Sequence, residues 1–280
     1  MKATTRMERE AGEREKRGRR EALAVKVGTC ICLFLLVGFV AAVVGPCLCY
    51  AGLTTLIRTL LSEEIRFAAR LSLVTTAAST GLAMLLGIPA AYALSRYRFR
   101  AAGLIDTLVD LPMVFPAVAS GFALLLLFGY YLGDVFRAWG WRVPHTQHGI
   151  IIAQFFCIMT LAVRTVKAAF DSINPRFAQV ARTLGSGEWR VFWRITLPLA
   201  RNGILAGTVM TWAYALGLFG PVMMFCGATR MRTEVLPVAV YLNNAVGQLE
   251  EAAAATLILL AIAVASLLLF KRLGGRGFLW

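Results

Sequence analysis

The chain has 280 residues, 59% of them hydrophobic and only 16% charged, with a formal net charge of +14. Soluble domains run at about 45–50% apolar and about 25% charged, so a soluble globular domain is excluded. A basic nucleic-acid binder is excluded as well, because the cations lie between long apolar blocks and form no single patch.

Residues 1–26 carry nine Lys/Arg mixed with Glu8, Glu10, Glu13, Glu15 and Glu21, which predicts a disordered or frayed tail. Residues 27–57 then carry no charge. A helix needs about 20 apolar residues to cross about 30 Å of hydrocarbon. The run also exceeds a cleavable leader's core, so a retained first span is expected at 27–50. Cys30, Cys32, Cys47 and Cys49 fall in it, and Cys157 and Cys226 in later blocks. Residues two apart on a helix do not face each other, so these thiols read as small hydrophobes.

The second span is expected at 67–94, followed by Arg96, Arg98 and Arg100. The third, 104–132, opens on Asp106 and Asp110 and contains Pro112 and Pro116. His145 and His148 follow in a loop, and two histidines without neighbouring Cys, His or carboxylate do not make a metal site. The fourth span, 149–170, is interrupted by Arg164 and Lys167, whose long stems can snorkel to the interface. Asp110 either pairs with Arg164 or Lys167 near the inner interface or sits with Asp106 in interfacial water; the residues allow both.

Residues 171–200 are the longest segment between spans on their side. Pro175 suits a helix start, and Phe177, Val180, Ala181 and Leu184 recur on one face. Gly185-Ser186-Gly187 breaks the helix. A second short helix, with Trp189, Phe192 and Trp193 on one stripe and Arg182, Arg190 and Arg194 around it, is expected to stop before Pro198. Such a knob fits either a socket on a cytoplasmic partner or the membrane surface with Trp at the headgroups.

The fifth span is expected at 201–226 and the sixth at 250–271, leaving a tail at 272–280. Each block reads as a helix, because a chain in lipid must satisfy its own backbone hydrogen bonds. The fold class is therefore all-α, a polytopic membrane protein with about six transmembrane helices over 27–271. Twenty of the 29 cations fall in the tails, the 95–103 stretch and the 171–203 stretch, which puts both termini in the cytoplasm. Pro112, Pro116, Gly217 and Gly220 are points where helices lining a gated path would bend, although Gly and Pro are common in membrane helices anyway. No ring of Arg or Lys cages an anion in the central spans, which suggests weak substrate contact along the path. There is no phosphate-binding Gly-x-x-x-x-Gly-Lys-Ser/Thr loop, no nucleophile–base pair and no metal cluster, so catalysis by this chain is not expected.

Gln179-Val180-Ala181, three residues, Gly185, nine residues, then Ile195-Thr196-Leu197-Pro198 resembles the loop of the binding-protein-dependent ABC importer permeases. That loop carries Glu-Ala-Ala, Gly and Ile-x-Leu-Pro at the same spacing; here Gln179 and Val180 replace the Glu and first Ala. The resemblance spans about residues 64–270. It implies the ABC importer permease fold, with cytoplasmic coupling helices in 171–200. Gln179, Ala181, Arg182, Gly185, Trp189, Ile195, Leu197 and Pro198 would form the contact with an ABC ATP-binding subunit. ATP and Mg would be bound by that partner, with no cofactor on this chain. An external substrate-binding protein and a second permease chain, expected to be identical, complete the assembly in a bacterial inner membrane. Arg96-Tyr97-Arg98-Phe99-Arg100, Leu104-Ile105-Asp106, Asp110-Leu111-Pro112, Ala162-Val163-Arg164-Thr165-Val166, Leu218-Phe219-Gly220-Pro221 and Thr233-Glu234-Val235-Leu236-Pro237 are similar to the molybdate, tungstate and sulfate branch, with Leu218 in place of a Glu. Import of an oxyanion is therefore expected. The alternatives are another small solute or, further off, an ion-coupled carrier, which would show buried ionisable relays and inverted repeats.

Overall fold

The computed structural model describes residues 2–97 and 100–273. Arg98, Phe99 and the part of the expected tail from residue 274, including Arg276, lie outside the described residues. The chain divides into residues 1–50 and residues 51–280.

The first unit is one helix, α1 (Lys2–Ala51). Its apolar part, Val25–Ala51, has a mean hydropathy of 2.8 and is long enough to cross a membrane. Residues 2–26, expected as a disordered or frayed tail, continue the helix. Their Ala, Glu, Arg, Lys and Met are strong helix formers, and Glu10/Arg14, Glu13/Arg17 and Glu15/Arg19 stand at the favourable i, i+4 spacing.

The second unit is helical wherever it has regular structure among the described residues. It runs α2 (Leu53–Leu61), α3 (Glu63–Arg96), α4 (Ala102–Val114), α5 (Ala117–Leu125, extended by a π-turn over Leu126–Tyr131), α6 (Gly133–Ala138) and α7 (Gln147–Asp171). Then follow α8 (Arg176–Thr183), α9 (Glu188–Val191, extended by a π-turn over Phe192–Thr196), α10 (Leu197–Leu216), α11 (Gly220–Cys226), α12 (Leu236–Ala245) and α13 (Leu249–Leu273). Caps explain the sharpest starts. Ser62 accepts the Ile65 N–H, and Thr146 accepts the Gly149 N–H at 3.2 Å.

Four expected spans are unbroken helices: Val25–Ala51, Glu63–Arg96, Gln147–Asp171 and Leu249–Leu269. The other two are broken. The third bends by 105° between Gly103–Val114 and Ala117–Tyr131, and the fifth by 57° between Glu188–Leu216 and Gly220–Cys226. The span expected at 104–132, with bends at Pro112 and Pro116, is thus an L that breaks at Pro116. Pro116 supplies no N–H, and Phe115 and Pro116 are both extended, with ψ of 127° and 133°. Pro112 lies inside α4 without ending it.

The expectation that the second short helix stops before Pro198 is corrected. Helix continues from Glu188 to Leu216, because the π-turn over Phe192–Thr196 shifts the hydrogen-bond register just where Pro198 lacks a donor.

The core sits where α3, α7 and α10 meet, around Met84, Ile158, Val163, Val166, Phe170 and Ala215. In lipid there is little hydrophobic drive between helices, so close approach of small residues holds the bundle together. Gly203 and Gly207 of α10 are packed directly against Ala169 and Thr165 of α7, leaving no room for a Cβ. Ser72, Thr75, Thr76, Ser79 and Thr80 form a buried polar seam along α3, and Ser79 donates to Gln154 of α7 at 3.2 Å. A second cluster joins Ile65 and Ala68 of α3 to Leu236 and Ala239 of α12 and Ala255 and Ile258 of α13.

Candidate functional site

Two sites emerge along α7, which is 25 residues long and so roughly 37 Å at 1.5 Å per residue. The first is the knob beyond its C-terminus. Asn174 Oδ1 accepts the Arg176 N–H at 3.0 Å and starts α8. At the other end, Gly185 N donates to Arg182 O at 2.9 Å and Ser186 N to Ala181 O at 3.0 Å. This pair of bonds is the Schellman turn, and Gly185 sits at its left-handed position with φ of 81°. Arg182 then clamps the hairpin. Its Nε lies 2.7 Å from Glu188 Oε1, and Nη2 donates to Oε2 at 3.1 Å. The sequence reading placed Arg182 on the knob surface and overlooked Glu188, because a pair spanning a turn has no helical spacing to betray it.

The apolar face of α8 is turned outward. Leu184 is 81% exposed and Trp189 75%, and Phe177, Val180 and Trp193 are exposed beside them. Gln179 is exposed on the same helix, whereas Ala181 and Val191 are buried. The rings of Trp189, Phe192 and Trp193 lie together as expected, with centroids 5.3–6.5 Å apart, and Phe192 is the half-buried member that turns inward. Its ring centroid lies 4.7 Å from that of Tyr92 on α3 and 6.5 Å from that of Phe170 on α7, and Trp189 stands 6.5 Å beyond it. An exposed tryptophan is thereby linked to the bundle core by ring contacts. Ile195 and Leu197 are half-buried, and Leu197 packs on the core while Pro198 is exposed.

Next to the knob's root lies an ionic cluster. Arg164 Nε donates to Asp110 Oδ1 at 2.6 Å, its Nη2 pairs with Asp110 Oδ2, and its Nη1 lies 2.8 Å from Asp106 Oδ1. Lys167 does not join this cluster. It pairs with Asp171 at 2.7 Å, which also accepts from Ser95 at 2.6 Å. Arg96 donates to the carbonyls of Phe170 at 2.8 Å and Ile173 at 3.2 Å. The cluster ties α4 to α7, helped by Thr160 donating to Val109 O at 2.6 Å.

The second site is where the broken spans meet. Gly121 of α5 is so close to α11 that a Cβ there would lie 2.6 Å from Pro221 O, and one on Gly220 would lie 3.4 Å from Val118. The breaks at Pro116 and at Gly217–Phe219 are therefore brought side by side, and α5 and α11 pack as a pair. Pro112 lies one turn before this junction on α4. The signal overlooked in the sequence was Gly121, which resembles any other glycine in an apolar run. Among the described residues, no group of three or more His, Cys, Asp or Glu could hold a metal ion.

Residues 83–276 match the family described as binding-protein-dependent transport system inner membrane component. The molybdenum transport system permease protein ModB of Mycobacterium tuberculosis is 36% identical over 202 residues, covering 71% of this chain and 75% of that protein. The sulfate transport system permease protein CysW of Synechocystis is 33% identical over 211 residues, covering 75% and 76%. In fold, the chain is similar to a chain of a bacterial alginate ABC transporter crystallised with an alginate pentasaccharide-bound periplasmic protein. The TM-score is 0.71 at 19% identity, over 93% of this chain and 96% of that one.

Proposed function

The chain belongs to the binding-protein-dependent transport system inner membrane components and is a permease subunit of an ABC importer; we propose that it carries a tetrahedral oxyanion of the molybdate, tungstate or sulfate class and is driven through residues 171–200. The oxyanion reading is supported by the molybdenum and sulfate permeases among its relatives. The drive reading rests on one observation above all. A hairpin held rigid by a Schellman turn and an Arg182–Glu188 clamp presents Phe177, Val180, Leu184 and Trp189 outward. Large apolar residues on a rigid, Arg-rimmed surface have the composition of a protein interface.

The knob faces the cytoplasm, as do both termini, in keeping with the distribution of Lys and Arg. A separate ATP-binding subunit receives Trp189, Leu184 and the flanking Arg190 and Arg194. Two copies of the permease form the pathway between them, and each knob docks on one ATPase. ATP and Mg bind to the ATPase, and this chain performs no chemistry.

Force then travels along a physical rod. Helix runs from Glu188 to Leu216, roughly 43 Å at 1.5 Å per residue. A displacement at Trp189 arrives at the break beside Gly217. There the α5–α11 pair can tilt about Pro116, which has no N–H to lose, and about Gly217, whose N–H makes only the short i, i−3 turn bond to Tyr214 O at 3.2 Å. With few charges along the path, selectivity is left to an external receptor protein.

The test is uptake in proteoliposomes holding this chain, its ATPase and the receptor. Labelled molybdate, tungstate or sulfate should accumulate with ATP hydrolysis, and deleting residues 176–187 should abolish both accumulation and co-purification of the ATPase. Transport that survives the deletion would point to an ion-coupled carrier and overturn the drive reading.

A further inference from the structure

The loop between α6 and α7 holds two adjoining clefts that the mechanism above does not use. One, of about 320 Å³, is lined by Phe128, Phe136, Arg137, Trp141, Arg142 and Pro144 among others. The other, of about 250 Å³, lies across the Trp141–Arg142 wall and adds His148 and Ile152. No carboxylate lines either cleft. Arg137 is held in place by Asp134 at 2.5 Å and by the carbonyl of Gly133 at 3.2 Å. Arg142 makes no hydrogen bond or ion pair among the described residues. The Trp141 ring stacks on His148 with centroids 6.3 Å apart. The result is a concave, aromatic-walled surface with a spare guanidinium.

The clefts lie at the start of α7, at the opposite end of that helix from the knob. They also touch the α5–α11 pair. Phe128 stands 5.6 Å from Phe136 in the cleft wall and 6.0 Å from Phe225, which is fully buried on α11. His145 N donates to Phe225 O at 3.4 Å. Whatever fills the cleft therefore presses on the same helix that carries the fifth span's break.

We propose that the Arg137–Arg142 cleft receives an acidic side chain of the external receptor protein, and that its filling is passed to α11 through Phe128 and Phe225. This rests on the orientation given above, in which the 133–148 loop faces outward. A guanidinium without a partner, beside aromatic walls, suits a planar carboxylate that can accept two N–H bonds. A seated acid would mark the receptor's arrival at the outer face while the knobs report nucleotide at the inner one.

The test uses lysine chemistry. The lysines of this chain are Lys2, Lys16, Lys26, Lys167 and Lys271, none of them in the 133–148 loop. In the reconstituted transporter, Arg142→Lys places one amine in the cleft. A carbodiimide activates a receptor carboxylate, the amine displaces the urea, and an amide forms only if the two are in contact. Peptide mapping should find a receptor Asp or Glu joined to position 142, and Arg142→Glu should raise the receptor concentration for half-maximal ATPase stimulation at least about tenfold. A labelled Arg142→Cys in intact cells, using a membrane-impermeant maleimide and the native chain as background, checks the orientation separately. No labelling would refute the orientation. Labelling of the Arg142→Cys chain, with no amide formed by the Arg142→Lys chain, would refute the proposal alone. Loss of the amide on adding free sulfate or molybdate at matched ionic strength would also overturn it, by making the cleft an inorganic-anion site.

Discussion

The knob and the α5–α11 junction solve opposite problems. The knob keeps its apolar face exposed and its backbone fixed, with every turn bond made and Arg182 clamped to Glu188. The junction buries its contact and leaves the backbone broken, at Pro116 and at Gly217–Phe219. A part that receives force must not yield, and a part that moves must have somewhere to bend. The continuous helix from Glu188 to Leu216 joins the two, so the stiff element lies between them and compliance is kept for the far end.

The largest effect should come from filling the junction. Gly121→Leu puts a side chain where even a Cβ would stand 2.6 Å from Pro221 O, so α5 and α11 must separate. Overpacking of this kind disturbs a fitted interface by about 1–3 kcal/mol or more, and uptake in proteoliposomes should fall at least about a hundredfold, with Gly121→Ala intermediate. Full activity of the Leu variant would mean that the two helices need not stay together.

The knob should respond more moderately, and through partner binding. Gly185 has φ of 81°, a conformation that disfavours other L-residues by roughly 1–2 kcal/mol and β-branched ones most. Gly185→Val should weaken ATPase co-purification about tenfold, whereas Gly185→Asn, which tolerates that φ, should keep most of it. Equal loss in both would locate the effect in side-chain size at the contact, not in the turn.

Arg164 tests the root between the two regions. Removing it leaves Asp106 and Asp110 facing each other without a cation. Hydrogen bonds to charged groups are worth about 1.5–3 kcal/mol, discounted here because all three side chains are 30–43% exposed. Arg164→Met should lower the thermal midpoint in detergent, and adding Asp110→Asn and Asp106→Asn should recover part of the loss. Absence of recovery would mean that Arg164 acts by packing alone.

How much of this could be read from the sequence follows the same division. The spans were legible because lipid permits few ways to bury a backbone, and a long uncharged run announces itself. The Pro116 break was visible for the same local reason. The knob was legible through Gly185 and the apolar face of α8. What escaped was set by contacts between distant residues. Pro198 looked like a boundary because a π-turn that absorbs a missing donor leaves no composition signal. Lys167 is as plausible a partner for Asp110 as Arg164 by position alone, yet Asp171, four residues on, is what it pairs with. Gly203 and Gly207 stand four apart in the sequence, but only the fold shows that α7 is what they admit.

The smallest effect lies in the loop joining α11 to α12, on the outer side. Glu234 is fully buried there and accepts the Met231 N–H at 3.1 Å, near Arg230, which pairs with Glu64 and donates to Asn243 at 3.1 Å. Burial pushes its carboxyl above the ordinary value; the Met231 N–H and Arg230 pull the other way, and Glu64 adds to the rise. A raised acid binds more protons folded than unfolded, so stability is lost as pH climbs from the ordinary glutamate range through the raised value. Glu234→Gln stays neutral and can still accept from Met231. Its thermal midpoint relative to the native chain should therefore improve steadily as pH rises from acid towards neutral and level off above that. A midpoint that instead falls further behind the native chain as pH rises would show that Glu234 is held ionised by Arg230, and that this loop, like the knob, is fixed by an ion pair.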